Sequence, residues 1–308
     1  MFLLIIKSIS KGTVKMGQQL KENISKLYGD LGVRWLSQVP HLAELCAKRW
    51  DLTKLEEMPE LSFSYVMSGY QDTRAIILKL SPEPWTSKAE ARALKGLAGH
   101  GVVSLLGESE EALLLERACP GLSLKEYFYT KDIEAIDIFC QILNNLHQAP
   151  RPQEGFVHIR DWLSELENQW PLPTVMLDKA RILRDRLCIS SGPDILLHGD
   201  LHHGNILQHW NHWVAIDPKG VKGEACYEAG AFIRNPIDLI SAMPRHQAQR
   251  IVEFRIEKMA HFFGVDQKRL AQWCFVQAVL AWIWAFQDGL DTRCHKWVCE
   301  LFEDCDLF

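Results

Sequence analysis

The spacing of apolar residues changes along the first part of the chain. Over residues 18–50 apolar side chains recur at steps of three and four, which predicts amphipathic helices. From residue 61 to residue 80 short apolar runs flank a polar turn, which predicts a β-hairpin whose second strand ends beside Lys79. The pattern then predicts a helix and two more strands, over residues 88–97, 102–106 and 112–116.

The second part of the chain is helical in pattern, apart from one polar loop between short apolar runs. Apolar residues at helical steps predict helices over residues 133–147, 161–170, 175–187, 236–242, 245–263 and 268–289. We therefore predict an α+β fold with two lobes. Residues 1–117 form the N-lobe, a helical segment plus an antiparallel sheet, and residues 118–308 form a mostly helical C-lobe.

Composition and charge narrow the class of protein. The chain has 308 residues, of which 47% are hydrophobic, enough for a folded protein of about two domains. Its formal net charge is −5, so it lacks the basic excess expected of a protein that binds nucleic acid or an anionic membrane, whereas a cationic ligand is compatible with it. The apolar run at residues 2–6 is shorter than a signal-peptide core, and no run approaches the ~20 residues of a membrane helix. We therefore predict a cytoplasmic protein.

Cysteine and histidine do not form a recognisable metal site in the sequence. The nine cysteines contain no Cys-x-x-Cys pair and are predicted to be reduced thiols. Two groups lack the spacing of zinc ligands: Cys294, His295, Cys299 and Cys305 in one, and His202, His203, His209 and His212 in the other. We therefore predict that neither group binds zinc.

Three polar residues around the loop between the short apolar runs have the character of phosphoryl-transfer machinery. Asp200 follows an apolar run and a glycine, Asn205 comes five residues later, and Asp217 ends the next apolar run. Asp200 would orient a substrate hydroxyl and accept its proton, while Asn205 and Asp217 offer hard oxygen ligands for Mg²⁺. Either fragment alone is better explained as an ordinary turn. Their order, downstream of a hairpin lysine, favours the functional interpretation.

The same segment resembles a known family. His198-Gly199-Asp200-Leu201-His202-His203-Gly204-Asn205, followed by Ile216-Asp217-Pro218-Lys219-Gly220, resembles the aminoglycoside phosphotransferase family, and most closely its streptomycin 6-kinase and hydroxyurea kinase branch. Further segments resemble landmarks of that branch: Trp35-Leu36, Arg49-Trp50-Asp51-Leu52, Glu90-Ala91-Arg92-Ala93-Leu94, Leu114-Leu115-Glu116-Arg117, Pro120-Gly121 and Arg234-Asn235-Pro236. The resemblance implies the bilobal protein-kinase-like fold and the use of ATP with Mg²⁺.

The resemblance also implies roles for the loop residues. Asp200 is the catalytic carboxylate, and Asn205 and Asp217 are the metal ligands. His198 is expected to be a buried scaffold residue, because Asp200 already provides the base.

Nucleotide-binding residues are expected earlier in the chain. Lys79 would contact the α- and β-phosphates, and Glu90 would pair with it. Backbone amides at Ser68 and Gly69 are candidates for phosphate contacts, although their loop does not match Gly-x-Gly-x-x-Gly. The connector Glu116-Arg117-Ala118 would present its backbone to the base.

Acidic residues of the C-lobe are candidates for binding the phosphate acceptor. A polycationic aminoglycoside favours several carboxylates, and Trp282 or Trp284 would stack on a guanidinium group. Each acid taken alone is better explained as a solvated helix residue. The acids that the resemblance places around the substrate cleft are Glu228, Asp288, Glu224 and Asp161, together with Glu165 and Asp291.

The expected reaction is transfer of the γ-phosphoryl group of ATP to a hydroxyl of an aminoglycoside, at the 6-position of streptomycin by resemblance, which would confer antibiotic resistance. Alternatives are a kinase of hydroxyurea or of another small hydroxylated metabolite, and a nucleotide-binding regulatory protein without transferase activity. A protein kinase is disfavoured because no Ala-Pro-Glu-like segment follows Asp217. The combination of Lys79, Asp200, Asn205 and Asp217 argues against a non-catalytic protein.

Overall fold

The computed structural model describes residues 17–59, 61–152 and 154–305. Packing divides the chain into two compact units, one that reaches to Pro82 and one that starts at Glu83. The apolar run at residues 2–6, which bears on the predicted location of the protein, lies outside the described residues. The lobe boundary near residue 118 is a division by sequence pattern and stays a prediction.

The first unit combines one long helix with three antiparallel strands. Helix α1, Gln18–Arg49, is bent at Gly29, whose φ of 53° is not helical. The strands are β1 (Leu52–Glu57), β2 (Tyr65–Gln71) and β3 (Arg74–Leu80), with β2 between the other two. The predicted hairpin is confirmed, and β1 is an additional strand that the apolar pattern did not indicate.

The second unit contains the remaining elements. Its helices are α2 (Pro84–Gly96), α3 (Asp132–Leu146), α4 (Ile159–Leu163), α5 (Thr174–Ile189), α6 (Ala229–Arg234), α7 (Ile237–Ser241), α8 (Arg245–Phe263), α9 (Gln267–Gln287) and α10 (Arg293–Asp304). Its strands are β4 (Leu105–Glu108), β5 (Ala112–Glu116), β6 (Pro120–Ser123), β7 (Val157–His158), β8 (Ile195–Leu197), β9 (Ile206–His209), β10 (His212–Ala215) and β11 (Val221–Gly223). Short 3₁₀ segments occur at Leu124–Tyr127, Ser164–Glu167, His203–Asn205 and Ala225–Glu228. The helix predicted over 161–170 is therefore a short α-helix followed by a 3₁₀ turn.

Short strands of the second unit carry the loop that contains Asp200. Strands β10, β9 and β6 form one antiparallel sheet in that order. In another small sheet β11 lies between β7, to which it is parallel, and β8, to which it is antiparallel. Because β8 ends at Leu197 and β9 begins at Ile206, residues 198–205 connect two sheets, and we call this segment the 198–205 loop.

Helix α9 is the centre of the second unit. It packs against α5, α6, α8 and α10, and its residues Trp273, Phe275 and Ile283 are fully buried. By length and composition α9 is apolar enough to cross a membrane, but 72% of its most apolar window is buried inside the fold. Such burial is what the central helix of a globular domain shows. All nine cysteines lie in the described part of the chain, and all are free thiols.

Candidate active site

The 198–205 loop is anchored through His198. This residue is fully buried, as the sequence predicted, and its Nε2 donates to the carbonyl oxygen of Ile216 at 2.8 Å. Its Nδ1 accepts from the backbone nitrogen of Asp200 at 3.3 Å. Burial lowers the pKa of His198 to about 4, so the ring is neutral near pH 7. A neutral, enclosed histidine holds the backbone before Asp200 and is not a base.

The segment with Asp217 is tied to the same loop. The backbone nitrogen of Ile216 donates to the carbonyl oxygen of Asn205 at 2.9 Å, and that of Lys219 donates to the carbonyl oxygen of His198 at 2.7 Å. Asp217 itself has a φ of 60°, a left-handed conformation that Asp adopts more readily than most residues. These bonds bring Asp200, Asn205 and Asp217 together on one short stretch of linked backbone.

Glu228 lies beneath the 198–205 loop. Its two carboxylate oxygens accept from the backbone nitrogens of His198 at 2.7 Å and Gly199 at 2.9 Å, and the residue is 2% exposed. Burial raises the pKa of Glu228 to about 7, although the two backbone donors favour the ionised form. Glu228 is a positioning residue, because it acts on Asp200 through the backbone that precedes it.

Glycine is required at position 199. Its φ is +86°, and a Cβ atom there would lie 2.8 Å from Cη2 of Trp162 and 3.0 Å from Cγ1 of Val221. The absence of a side chain therefore lets the Trp162 ring pack against the loop beside Asp200. Sequence reasoning missed this contact, because Trp162 is distant in the chain and carries no motif.

Asp200 opens into a cavity of about 590 Å³ within the second unit. The Asp200 side chain is 33% exposed, so its carboxylate is accessible to a small molecule. Aromatic side chains line much of the cavity, among them Trp85, Trp162, Trp284 and Tyr227. A carboxylate at the wall of a partly apolar cavity is what a reaction on a bound hydroxyl compound needs.

The acids predicted to bind the acceptor fall into two groups. Asp161 and Asp288 line the cavity. Glu224 is 8% exposed and pairs with Nη2 of Arg269 at 2.6 Å, and Glu228 accepts its bonds under the loop. Neither Glu224 nor Glu228 is among the described residues that line this cavity. Their carboxylates are already bonded to protein groups. Both residues therefore support the structure around the cavity and do not form its wall.

Of the remaining candidates for acceptor binding, some line the cavity and others do not. Glu165 and Trp284 line the cavity, whereas Trp282 is 5% exposed and belongs to the core. Asp291 is outside the cavity lining and forms an ion pair with Arg293. Of the two tryptophans considered from the sequence, only Trp284 is placed to meet a ligand.

Besides Arg92, which donates to the carbonyl oxygen of Gly155, two cations line the same cavity and had no role predicted from the sequence. They are Lys219, two residues after Asp217, and Arg234, at the end of α6. Arg234 donates to Oε1 of Gln277 at 3.4 Å. Neither cation forms an ion pair within the described part of the chain. Positive side chains beside an accessible carboxylate suit a reaction that moves a phosphoryl group.

The predicted nucleotide residues lie in both units. Ser68 and Gly69 were predicted in a loop, but they lie within β2, where the ladder pairs them with residues of β3. Lys79 lies on β3, is 8% exposed and is opposite Val66. Their roles stay predictions.

In the second unit, Glu90 lies on α2, is 6% exposed and lines the cavity that contains Asp200. The Glu116 side chain accepts from Oγ of Ser104 at 2.7 Å, and Ala118 is buried. Contact of this connector with a base also stays a prediction.

Asn205 and Asp217 have the donor chemistry of a magnesium site. The amide nitrogen of Asn205 donates to the carbonyl oxygen of Asp200 at 2.9 Å, which directs its carbonyl oxygen away from that bond. Within residues 17–59, 61–152 and 154–305 no group of three or more His, Cys, Asp or Glu side chains is arranged to hold a metal. Mg²⁺ bound to a nucleotide takes only one or two protein ligands and completes its shell with phosphates and water. The residues present therefore fit that ion, whose binding is a prediction.

The ionisation of Glu228 predicts a dependence of stability on pH. Its pKa is about 7 in the folded protein and near 4.3 in an unfolded chain. Between these values the folded state keeps a proton that the unfolded state has lost, so the free energy of unfolding falls as pH rises through this range. Denaturant titrations at pH 5 and pH 8 should show a larger fall for the wild type than for Glu228→Gln, which does not titrate.

The same substitution should lower activity. Glutamine has one acceptor oxygen for the two backbone donors of His198 and Gly199, so one donor faces an NH₂ group. We expect kcat to fall by roughly 10²-fold through displacement of the loop. Steady-state kinetics at pH 8 measures this, and an unchanged kcat in a folded variant would show that the loop does not need Glu228.

Comparison with known proteins identifies the family of the chain. Residues 49–289 match the family model described as aminoglycoside/hydroxyurea antibiotic resistance kinase. The chain is 27% identical to streptomycin 6-kinase of Streptomyces glaucescens, over 90% of this chain and 92% of that protein. It is also 27% identical to streptomycin 3''-kinase of Klebsiella pneumoniae, over 79% of this chain and 91% of that protein.

A solved structure shares the fold. It is a thermostable mutant of aminoglycoside phosphotransferase APH(4)-Ia in ternary complex with ADP and hygromycin B, with a TM-score of 0.58 and 13% identity over 84% of this chain and 97% of that chain. The predicted α+β, protein-kinase-like fold is thereby confirmed. The family match contains the 198–205 loop and Asp217 and spans most of the sequence. The chain belongs to the aminoglycoside/hydroxyurea antibiotic resistance kinase family, and it is a phosphotransferase with an alcohol group as acceptor.

Proposed function

We propose that the protein transfers the γ-phosphoryl group of ATP to the 6-hydroxyl of a streptomycin-type aminoglycoside in the cytoplasm, and thereby confers resistance. The observation that carries the proposal is the position of Asp200, accessible at the wall of a cavity that is also lined by three tryptophans and by three acids that form no ion pair with a described residue. The solved relative with ADP and hygromycin B supports a nucleoside triphosphate as donor.

The residues of the site have distinct parts in this reaction. Asp200 accepts the proton of the acceptor hydroxyl, while the oxygen of that hydroxyl forms a bond to the γ-phosphorus of ATP. The bond between this phosphorus and the bridging oxygen, which stays with ADP, breaks. Asn205 and Asp217 would hold Mg²⁺, which neutralises charge on the phosphates. Lys219 and Arg234 line the cavity beside Asp200 and would stabilise the negative charge of the transferred group.

The position of phosphorylation is the finer part of the proposal. The relatives include both a 6-kinase and a 3''-kinase of streptomycin at the same identity. The match to the 6-kinase covers 90% of this chain against 79% for the 3''-kinase, which favours the 6-hydroxyl.

A panel of acceptors tests the proposal. Purified protein with ATP and Mg²⁺ is assayed for ADP release with streptomycin, kanamycin, hygromycin B and hydroxyurea, and the product is located by NMR. We expect turnover with streptomycin and a phosphate ester at its 6-position. Turnover with hydroxyurea alone would assign the protein to the other activity in the family description. Binding of ATP without turnover of any acceptor would favour a regulatory protein.

A further inference from the structure

One face of α9 forms a wall of the cavity. Gln277, Leu280, Trp284 and Asp288 follow each other at steps of three and four residues, and all four line the cavity. Trp284 and Asp288 are one turn apart on this face, about 6 Å along the helix axis. An aromatic ring and a carboxylate are thus presented side by side to whatever fills the cavity.

The Trp284 ring belongs to an aromatic corner beside the catalytic loop. Its centroid is 5.4 Å from that of Trp162, with the ring planes at 87°. Trp162 packs against Gly199, the residue before Asp200. The corner therefore adjoins the backbone that precedes Asp200.

The negative charge at this end of the cavity is not neutralised by the protein. No Lys, Arg or His nitrogen of the described residues lies within 4 Å of the carboxylates of Asp288, Asp161 or Glu165. Asp288 follows the last residue of α9, where the helix end adds a partial negative charge. Partial burial raises the pKa of Asp288, as expected of a carboxylate without a cation beside it.

One positive group of the cavity, Arg234, is distant from Asp288 along α9. Arg234 contacts Gln277, which precedes Asp288 by eleven residues, about 16 Å along α9. Lys219 is next to the 198–205 loop, to which its backbone nitrogen is bonded. Along α9, the cation Arg234 and the carboxylate of Asp288 are therefore about three turns apart.

A planar, delocalised cation fits this corner best. A guanidinium group is weakly hydrated, stacks on a tryptophan face and donates two parallel hydrogen bonds to a carboxylate. An ammonium group is more strongly hydrated and gains less from the aromatic walls. We propose that Trp162, Trp284 and Asp288 form a subsite for a guanidinium group of the acceptor, an inference that rests on the proposed function and names the chemical group by which this site selects its substrate.

Binding measured without ATP separates this subsite from catalysis. Isothermal titration of the full-length protein uses streptomycin and its bis-guanidinium fragment streptidine as probes, and kanamycin, whose cations are ammonium groups, as the comparison. We expect Trp284→Leu and Asp288→Asn each to raise the Kd for both guanidinium probes by about tenfold. Trp284→Phe keeps an aromatic ring, so it should raise the Kd for these probes by a smaller factor. In turnover assays the two variants should raise KM for streptomycin and leave kcat within about twofold.

Matched controls are available on the surface. Trp210→Leu removes a tryptophan that is 68% exposed and outside the cavity lining, and Glu257→Gln removes an exposed acid of α8. Both should bind the probes as the wild type does. The inference is overturned if the wild type binds neither guanidinium probe, or if Trp284→Leu and Asp288→Asn bind them no more weakly than the controls. Guanidinium binding with these dependences but no phosphoryl transfer would instead contradict the proposed function.

Discussion

Asp200→Ala should reduce kcat on the order of 10³-fold without loss of the fold. Asp200 is the accessible carboxylate of the 198–205 loop, and its replacement removes both the orientation of the acceptor hydroxyl and the acceptor of its proton. Circular dichroism and thermal unfolding should match the wild type, since the side chain is partly exposed and anchors no buried group. Titration with ATP should give an unchanged Kd.

The control for this substitution is an aspartate away from the cavity. Asp185 lies on α5 with its side chain 61% exposed, and Asp185→Ala should retain the wild-type kcat. If Asp200→Ala turned over at the wild-type rate, Asp200 would not be the catalytic base.

Arg255→Met should cause the largest loss of stability of any single substitution considered. Arg255 is fully buried, and its Nε donates to Oδ2 of Asp132 at 3.0 Å. The same guanidinium donates to the carbonyl oxygens of Phe232, Ile233 and Asn235, which lie at the end of α6. Removal leaves one partly buried carboxylate and three carbonyls without their donors, at an expected cost of about 3–5 kcal/mol. The midpoint of thermal unfolding should fall by roughly 10 °C.

The Arg255 side chain also reaches the 198–205 loop. Its Nη2 lies 3.3 Å from Nε2 of His203, whose ring stacks on Phe232 at 4.1 Å. We therefore expect reduced kcat in Arg255→Met even at temperatures where the variant is folded. Arg250→Met on the same helix is the control, because Arg250 is exposed.

A double substitution distinguishes the ion pair from simple packing. Asp132→Asn together with Arg255→Met removes both charges, so its loss of stability should be smaller than the sum of the two single losses. Additive losses in denaturant titrations would show that the pair is not coupled.

Long periodic segments could be predicted from the sequence because their packing follows the apolar repeat. Helix α8 has the predicted bounds, Arg245–Phe263, and the hairpin of β2 and β3 is present, although its turn is shorter than predicted because Ser68 and Gly69 belong to β2. Strand β1 could not be predicted, because Leu52–Glu57 is mostly polar and exposed and is a strand through pairing with β2. Strands such as β7 and β11, with two and three residues, carry too short a pattern to detect.

Some residues of the candidate site could likewise be identified from the sequence, and others could not. The loop residues Asp200, Asn205 and Asp217 are close in sequence, so a motif identifies them, and their shared backbone bonds follow from that closeness. Glu228 was predicted in the cavity and lies under the loop, because only the packing of the segment before α6 decides which groups its carboxylate meets.

Trp162 illustrates what requires the three-dimensional structure. Its contacts with Gly199 and with Trp284 join segments that are distant along the chain, and no local pattern marks them. Whether a carboxylate faces the cavity or another side chain is likewise a matter of tertiary packing, as the contrast between Asp288 and Glu224 shows.

Following the γ-phosphoryl group of ATP is the most direct test of the proposed kinase activity. Wild-type protein and Asp200→Asn are incubated with γ-labelled ATP, Mg²⁺ and streptomycin, and the products are separated and identified by mass spectrometry. We predict label in a phosphate ester of streptomycin with the wild type and no such ester with Asp200→Asn. Label released only as inorganic phosphate, or an ester formed equally well by Asp200→Asn, would contradict an aminoglycoside kinase that works through Asp200.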